Sequence, residues 1–77
     1  MEVKVFFFGV LAEVTGTNFK YYSDVRSFGD LKLKIQDDFP EVVHHNFRVS
    51  VNNLLTDNDP LLNDGDEVEL IPLFSGR

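Results

Sequence analysis

Residues 63–72, Asn-Asp-Gly-Asp-Glu-Val-Glu-Leu-Ile-Pro, are the stretch from which the fold can be worked out. Their first four residues predict a tight turn, in which Gly65 is free to adopt a positive φ. The turn leads into a predicted strand at 67–72, and side chains alternate between the two faces of a strand. Val68 and Leu70 share one face. The opposite face receives Glu67, Glu69 and Ile71.

A second strand is predicted at the start of the chain, where residues 3–8 are β-branched and aromatic. Val3, Val5 and Phe7 point to one side of it, and Lys4, Phe6 and Phe8 point to the other. The segment 9–16, with glycine at each end, predicts one or two helical turns. Residues 18–23 then predict a strand that pairs back on the first.

One main helix is predicted over residues 28–39. Ser27 and Asp30 form a variant of the capping box that marks helix starts. Pro40 disfavours helical geometry at the residue before it, so the helix should end there. The apolar stripe has helical spacing and indicates a core-facing side. Its members are Phe28, Leu31, Ile35 and Phe39.

The order of these elements predicts an α+β fold in which the helix crosses one face of a mixed sheet. Shorter strands are expected at 48–52, with Val49 and Val51 facing inward, and at 54–55. The predicted core is Phe7, Leu31, Ile35, Val51, Val68 and Leu70. The opposite face would then expose Phe6, Phe8 and Ile71, rimmed by Lys4, Glu67 and Glu69. Such apolar patches often mark a partner interface. Alternatively, loops of the same chain could cross this face and cover the patch.

Size and composition favour one small domain over residues 1–77. Cysteine is absent, which suits a reducing compartment, and neither a signal core nor an 18-residue apolar run occurs. We therefore expect a cytoplasmic protein.

Net charge is −6, and six acidic residues lie within 57–69. This charge opposes nucleic-acid and anionic-membrane binding and suits a basic partner surface, unless it is simply a solvated face.

Metal and cofactor sites are not indicated. His44 and His45 are adjacent and no third ligand lies nearby in sequence, whereas zinc takes three or four protein ligands. The acidic segment is not a calcium loop, because Leu62 and Val68 stand where glycine and glutamate are needed. With no phosphate loop either, any chemistry is expected at the C-terminal tail, residues 73–77. Five extended residues could reach about 17 Å.

The chain resembles the small, ubiquitin-like subunit of molybdopterin synthase, a sulfur carrier. The resemblance spans the whole chain and is strongest at residues 4–8, at 13–17 and at 62–68. The Asp-Gly-Asp-Glu-Val sequence in the last of these segments is shared with related sulfur carriers. The phenylalanine-rich opening strand and the tail at 72–76 point to the molybdopterin branch.

This resemblance implies a β-grasp fold whose last strand is central and parallel to the first. It also implies a non-catalytic carrier subunit, which an ATP-dependent activating enzyme adenylates at its terminal glycine and which then becomes a thiocarboxylate. The tail would enter the large synthase subunit of a heterotetramer, without a cofactor of its own. Implied partner-binding residues are Phe8, Leu55, Ile71, Pro72, Leu73, Phe74 and Ser75, and the reactive end corresponds to Gly76 and Arg77.

Arg77 departs from the resemblance, because the family pattern ends in two glycines and only Gly76 matches. Three explanations remain open: Arg77 is removed before activation, the chain is an altered carrier that cannot hold sulfur, or it is a β-grasp interaction module without acyl chemistry. A carrier for thiamine synthesis or for protein modification is a further alternative within the same class.

Overall fold

A mixed sheet crossed by one main helix is the framework of the described residues, 1–56 and 59–73 of a computed structural model. The strands are β1 (Glu2–Phe7), β2 (Phe19–Ser23), β3 (Phe47–Val51), β4 (Leu54–Thr56) and β5 (Glu67–Pro72). The helices are α1 (Val10–Thr15), α2 (Phe28–Asp38) and a 3-10 helix at Pro40–His44.

The sheet order is β2-β1-β5-β3-β4, so the last strand lies at the centre, next to the first. β1 and β5 run parallel, and each other neighbouring pair runs antiparallel. The predicted α+β fold with a mixed sheet is therefore confirmed. The predicted bounds of the last strand match the structure, and those of the first strand differ by one residue at each end.

Local sequence explains where α2 begins and ends. The side chain of Ser27 accepts a hydrogen bond from the backbone N–H of Asp30 at 3.3 Å, as the capping pattern predicted. Asp30 in turn accepts a hydrogen bond from the backbone N–H of Arg26 at 3.2 Å. The helix ends at Asp38 because Phe39, which precedes Pro40, has an extended φ of −135°.

The core lies between α2 and one face of the sheet. Val3, Val5 and Phe7 are buried there, as strand alternation predicted. Val51, however, was wrongly placed in the core and is only partly buried, as is Val49. Both lie on β3, which is separated from solvent on one side by only the three residues of β4. The remaining buried apolar residues include Leu11, Tyr22, Val25, Leu31, Ile35, Val42, Leu62, Val68 and Leu70.

Candidate functional site

The sheet face opposite α2, called here the outer face, has one continuous row of side chains across all five strands. Its midpoint is Glu69 on β5, which pairs with Phe6 on β1 and Ser50 on β3. The row continues to Phe19 on β2 and to Leu55 on β4. Phe8, Ile71 and Arg48, which pairs with Ile71, lie next to this row, toward the end of β5.

Aromatic rings cover the β1–β2 side of the outer face. The ring of Phe6 stacks on that of Phe8, with centroids 6.4 Å apart, and lies 6.5 Å from that of Phe19. The Phe19 ring in turn makes an edge contact with Tyr21 at 6.0 Å. Lys4 places its ammonium group 4.4 Å from the centre of the Phe19 ring and 4.9 Å from that of Phe6. The cation is thereby held over the rings, a geometry in which their quadrupoles attract it.

Three predicted partner-binding residues share the outer face. Phe8 is 45% exposed and Ile71 is 39% exposed, and Leu55 is 59% exposed on β4. The backbone N–H of Phe8 donates to the carbonyl of Leu70 at 3.3 Å, which keeps Phe8 beside Ile71. The structure thus brings these three apolar side chains to one side of the sheet and leaves them accessible.

The end of β5, called here the tail base (Pro72 and Leu73), is held from two directions. Pro72 pairs with Phe47 of β3, and Leu73 donates its backbone N–H to the carbonyl of Asn46 at 3.1 Å. On the other side, Gly9 approaches so closely that a β-carbon there would lie 3.0 Å from Cγ of Pro72. The chain therefore leaves the sheet at a defined place, next to Phe8 and Ile71. The predicted tail residues Phe74, Ser75, Gly76 and Arg77 lie outside the described residues.

The acidic residues of the last turn have structural partners. Asp64 accepts a hydrogen bond from the backbone N–H of Glu2 at 2.7 Å. Asp66 accepts hydrogen bonds from the backbone N–H of Asn63 at 2.8 Å and from the side chain of Asn52 at 3.0 Å. The carboxylates therefore hold the turn against the neighbouring strands, in addition to giving this region its negative charge.

Glu69 corrects one expectation, because it does not lie on the rim of the apolar patch. Its side chain is only 7% exposed, since β5 is the central strand and apolar or small residues flank it on both sides. One carboxylate oxygen accepts a hydrogen bond from the backbone N–H of Asn53 at 3.4 Å. Strand alternation placed Glu69 on the outer face, but its burial depends on a strand order that the sequence pattern alone does not give.

Several further ionisable groups lie away from the outer face. Lys20 and Asp38 form an ion pair at 2.7 Å, and the hydrogen bond from Lys20 lowers the pKa of the Asp38 carboxyl. Burial raises the pKa of the Tyr22 phenol, and the negative charge of Asp38 raises it further. His44 is exposed at the end of the 3-10 helix, and His45 is half-buried. Within residues 1–56 and 59–73, no group of three or more His, Cys, Asp or Glu side chains could hold a metal ion.

The described part of the chain thus offers an exposed apolar surface beside a strand end that is held from two directions. In the same part, no helix is long and apolar enough to cross a membrane. Such an arrangement can present a tail to another protein, whose own side chains would supply acid–base chemistry.

Comparisons with solved structures find the same fold at full length. The small archaeal modifier protein 1 of Methanosarcina acetivorans superposes with a TM-score of 0.86 at 24% identity, covering 99% of this chain and 96% of that one. A candidate molybdopterin converting factor subunit 1 from Pyrococcus furiosus superposes with a TM-score of 0.85 at 20% identity, covering 94% of this chain and 97% of that one.

A third similar structure is a complex of subunits 1 and 2 of the molybdopterin-converting factor from Helicobacter pylori. Its TM-score is 0.74 at 25% identity, covering 100% of this chain and 100% of the matched chain. A search of curated proteins finds no significant match. The sequence model of the ThiS family matches residues 5–76, nearly the entire chain. The protein is therefore a member of the ThiS family of ubiquitin-fold sulfur carriers.

Proposed function

We propose that this protein is the sulfur carrier subunit of a cytoplasmic molybdopterin synthase. The observation that carries the proposal is the tail base, which is fixed between Gly9 and the start of β3 and lies beside the exposed side chains of Phe8 and Ile71. A partner that binds the outer face would receive the residues that follow Leu73 at a defined position. One chain of the Helicobacter pylori complex matches this chain over its full length at 25% identity, and this likeness supports a large subunit as that partner.

In this proposal the outer face supplies affinity and the tail, residues 73–77, supplies reach. Phe8, Leu55 and Ile71 would lose their exposed apolar surface to the large subunit, which favours association. Pro72 and Leu73 would contact the surface of the partner, and Phe74 and Ser75 would enter it. Holding a reactive end near a bound substrate is itself a large catalytic contribution. Glycine suits position 76 because it has no side chain to clash in a narrow channel.

Activation would proceed at the C-terminal carboxylate. The carboxylate attacks the α-phosphate of ATP on an activating enzyme, and pyrophosphate leaves. Hydrosulfide, supplied by a sulfur donor, then attacks the carbonyl carbon of the acyl adenylate and displaces AMP, so that the terminal carbonyl carbon carries sulfur in place of one oxygen. The large subunit would consume this sulfur within a heterotetramer of two carriers and two large subunits.

Intact-mass measurement tests the proposal. The protein is incubated with the activating enzyme of its own organism, ATP and a sulfur donor, and the same mixture without ATP is the control. We expect an ATP-dependent mass increase equal to the replacement of one oxygen by sulfur, on a C-terminus that tandem mass spectrometry identifies. The absence of that increase for both the wild-type protein and Arg77→Gly would contradict the sulfur-carrier proposal.

A binding module without acyl chemistry is the second candidate, and Arg77 favours it. In the carrier pattern that the chain resembles, Arg77 stands at the position of the second glycine. A protein of this kind would dock through the same outer face but would not be adenylated. Normal binding to the large subunit, combined with no adenylation of either form, would select it.

A further inference from the structure

We propose that Glu69 binds an arginine side chain of the large subunit when the outer face docks. This inference rests on the proposed function, since it names the chemistry by which the same face recognises its partner. It begins from the position of Glu69, a residue that lies at the midpoint of the outer face and is 7% exposed.

The free protein gives this carboxylate little compensation for its burial. Removing an ionised carboxylate from water is costly unless a charge partner or several hydrogen bonds replace the lost hydration. In residues 1–56 and 59–73, the hydrogen bond that reaches Glu69 is the one from the Asn53 backbone, at a long 3.4 Å. Among the described residues, the carboxylate therefore has a single long hydrogen bond and no ion pair.

Two cations on the outer face already have partners. Arg48, which pairs with Ile71 of β5, makes an interaction of its own. Lys4 lies over the rings of Phe6, Phe19 and Tyr21, with distances of 4.9, 4.4 and 5.6 Å to their centroids. The ion pair found in the described part of the chain joins Lys20 to Asp38, outside this face. A bound partner can supply the missing positive charge, and docking would also exclude the remaining water.

The neighbours of Glu69 favour arginine over lysine as that cation. The Phe6 side chain on one side offers an aromatic ring, and Ser50 on the other side is small and buried. A guanidinium group is planar, stacks on aromatic rings and pairs with both oxygens of a carboxylate, and it is less strongly hydrated than an ammonium group. It therefore loses less hydration when it enters a mostly apolar face.

The same carboxylate would reject wrong partners. A protein that covered the outer face with apolar side chains alone would bury the charge without a counter-ion, which disfavours that complex. Glu69 would thus contribute selectivity within an interface whose affinity comes from Phe8, Leu55 and Ile71.

The first test measures dissociation constants for the large subunit of molybdopterin converting factor from the same organism, by isothermal titration calorimetry. Glu69→Gln keeps an oxygen that can accept from Asn53 and removes only the charge. The matched control is Glu67→Gln, two residues earlier on the same strand and face, but exposed. We expect Glu69→Gln to weaken binding roughly 30-fold or more, as loss of one partner of a buried charge pair does. Glu67→Gln should change it by less than about threefold, as exposed charges do.

Thermal unfolding of the isolated variants provides an independent readout. Since the charge receives one long hydrogen bond and no ion pair from the described residues, Glu69→Gln should leave the melting temperature unchanged or raise it. A clear drop in melting temperature together with weakened binding would make Glu69 a folding residue and overturn the proposal.

A double-mutant cycle identifies the arginine. Each surface arginine of the large subunit is changed to methionine, and each variant is measured with wild-type protein and with Glu69→Gln. One arginine should lose its effect when Glu69 is already neutral. If the wild-type complex forms and Phe8→Asp disrupts it, but Glu69→Gln behaves like Glu67→Gln, only the arginine proposal fails. If the wild-type protein does not bind the large subunit, the proposed function and this inference both fail.

Discussion

Pro72 packs directly against Gly9, so that a β-carbon at residue 9 would lie only 3.0 Å from Cγ of Pro72. This contact joins the turn after β1 to the tail base. Residue 9 also has a φ of +56°, which side chains other than glycine rarely adopt. The position therefore requires glycine for two separate reasons, and both bear on where the tail leaves the sheet.

Gly9→Ala should destabilise the protein, through the strained backbone and through displacement of Pro72. We expect a loss of roughly 2–4 kcal/mol in the free energy of unfolding, from about 1–3 kcal/mol of backbone strain plus overpacking. Gly16→Ala is the matched control, because its φ of +75° is also positive but nothing lies within 4 Å of the added carbon. Urea denaturation that gave equal losses for the two variants would show that the contact with Pro72 is unimportant.

Helix α2 offers a second pair of matched substitutions. Leu31 and Ile35 are buried under the sheet, and changing either to alanine should cost about 2–5 kcal/mol of unfolding free energy. Leu33 lies on the same helix but is 68% exposed, so Leu33→Ala should change stability by less than about 0.5 kcal/mol. Chemical denaturation measures all three, and near-equal values would mean that the helix packs through a different face.

Tyr22 should make the protein sensitive to alkali. Its hydroxyl is buried near the carboxylate of Asp38, and burial, followed by the interaction with Asp38, raises the pKa of the phenol. A raised pKa in the folded state gives a stabilising contribution that is complete below the unfolded pKa of 10.0 and falls as the pH rises above it.

The variant Tyr22→Phe tests this sign. The unfolding free energy of Tyr22→Phe should decline less than that of the wild-type protein as the pH rises from about 9.5 to about 11.5. This range includes the ordinary tyrosine pKa of about 10. Tyr21→Phe is the control, because Tyr21 is 52% exposed on the neighbouring position of the same strand. Identical alkaline declines for Tyr22→Phe and the wild type would show that the phenol ionises equally well in the folded protein.

Phe8→Asp should weaken the complex with the large subunit and leave the isolated domain folded. The side chain is already 45% exposed, so the new charge costs little until docking covers it. Leu33→Asp, on the solvent side of α2, is the control for the introduction of a charge at an exposed apolar position. Circular dichroism checks the fold and calorimetry checks binding. An unfolded Phe8→Asp variant would place Phe8 in the core instead.

Arg77 should impair activation, because its side chain would have to enter a channel suited to glycine and would carry an unpaired charge into it. Arg77→Gly should restore adenylation. Deletion of Arg77 should restore it less well, because the reach shortens by about 3.5 Å. ATP–pyrophosphate exchange with the activating enzyme compares the three forms. Equal exchange by the wild-type protein would show that the second glycine is dispensable here.

Much of the fold follows from local sequence patterns. Strand alternation located the buried side chains of β1 and β5, and Ser27 with Pro40 bounded the main helix. Burial of Val51 was predicted wrongly because alternation assigns a face but not a distance from the sheet edge. Leu11 was overlooked because α1 is too short for helical periodicity to be recognised.

The candidate site was predictable to a similar extent. Alternation placed Phe8 and Ile71 together on the outer face, and the resemblance to a known family added Leu55. The burial of Glu69 could not be predicted, since it depends on β5 lying between β1 and β3, a long-range pairing that no local pattern specifies. The contact of Gly9 with Pro72 is equally non-local, and the presence of a glycine gave the only hint of it.

The central position of β5 has a consequence for biosynthesis. Residues 67–70 must pair with residues 4–7, so the middle of the sheet cannot assemble until β5 has left the ribosome. A nascent chain that ends before β5 would lack the outer face, along with the strand that leads into the tail. Assembly through that face would thus be restricted to chains whose synthesis has passed β5.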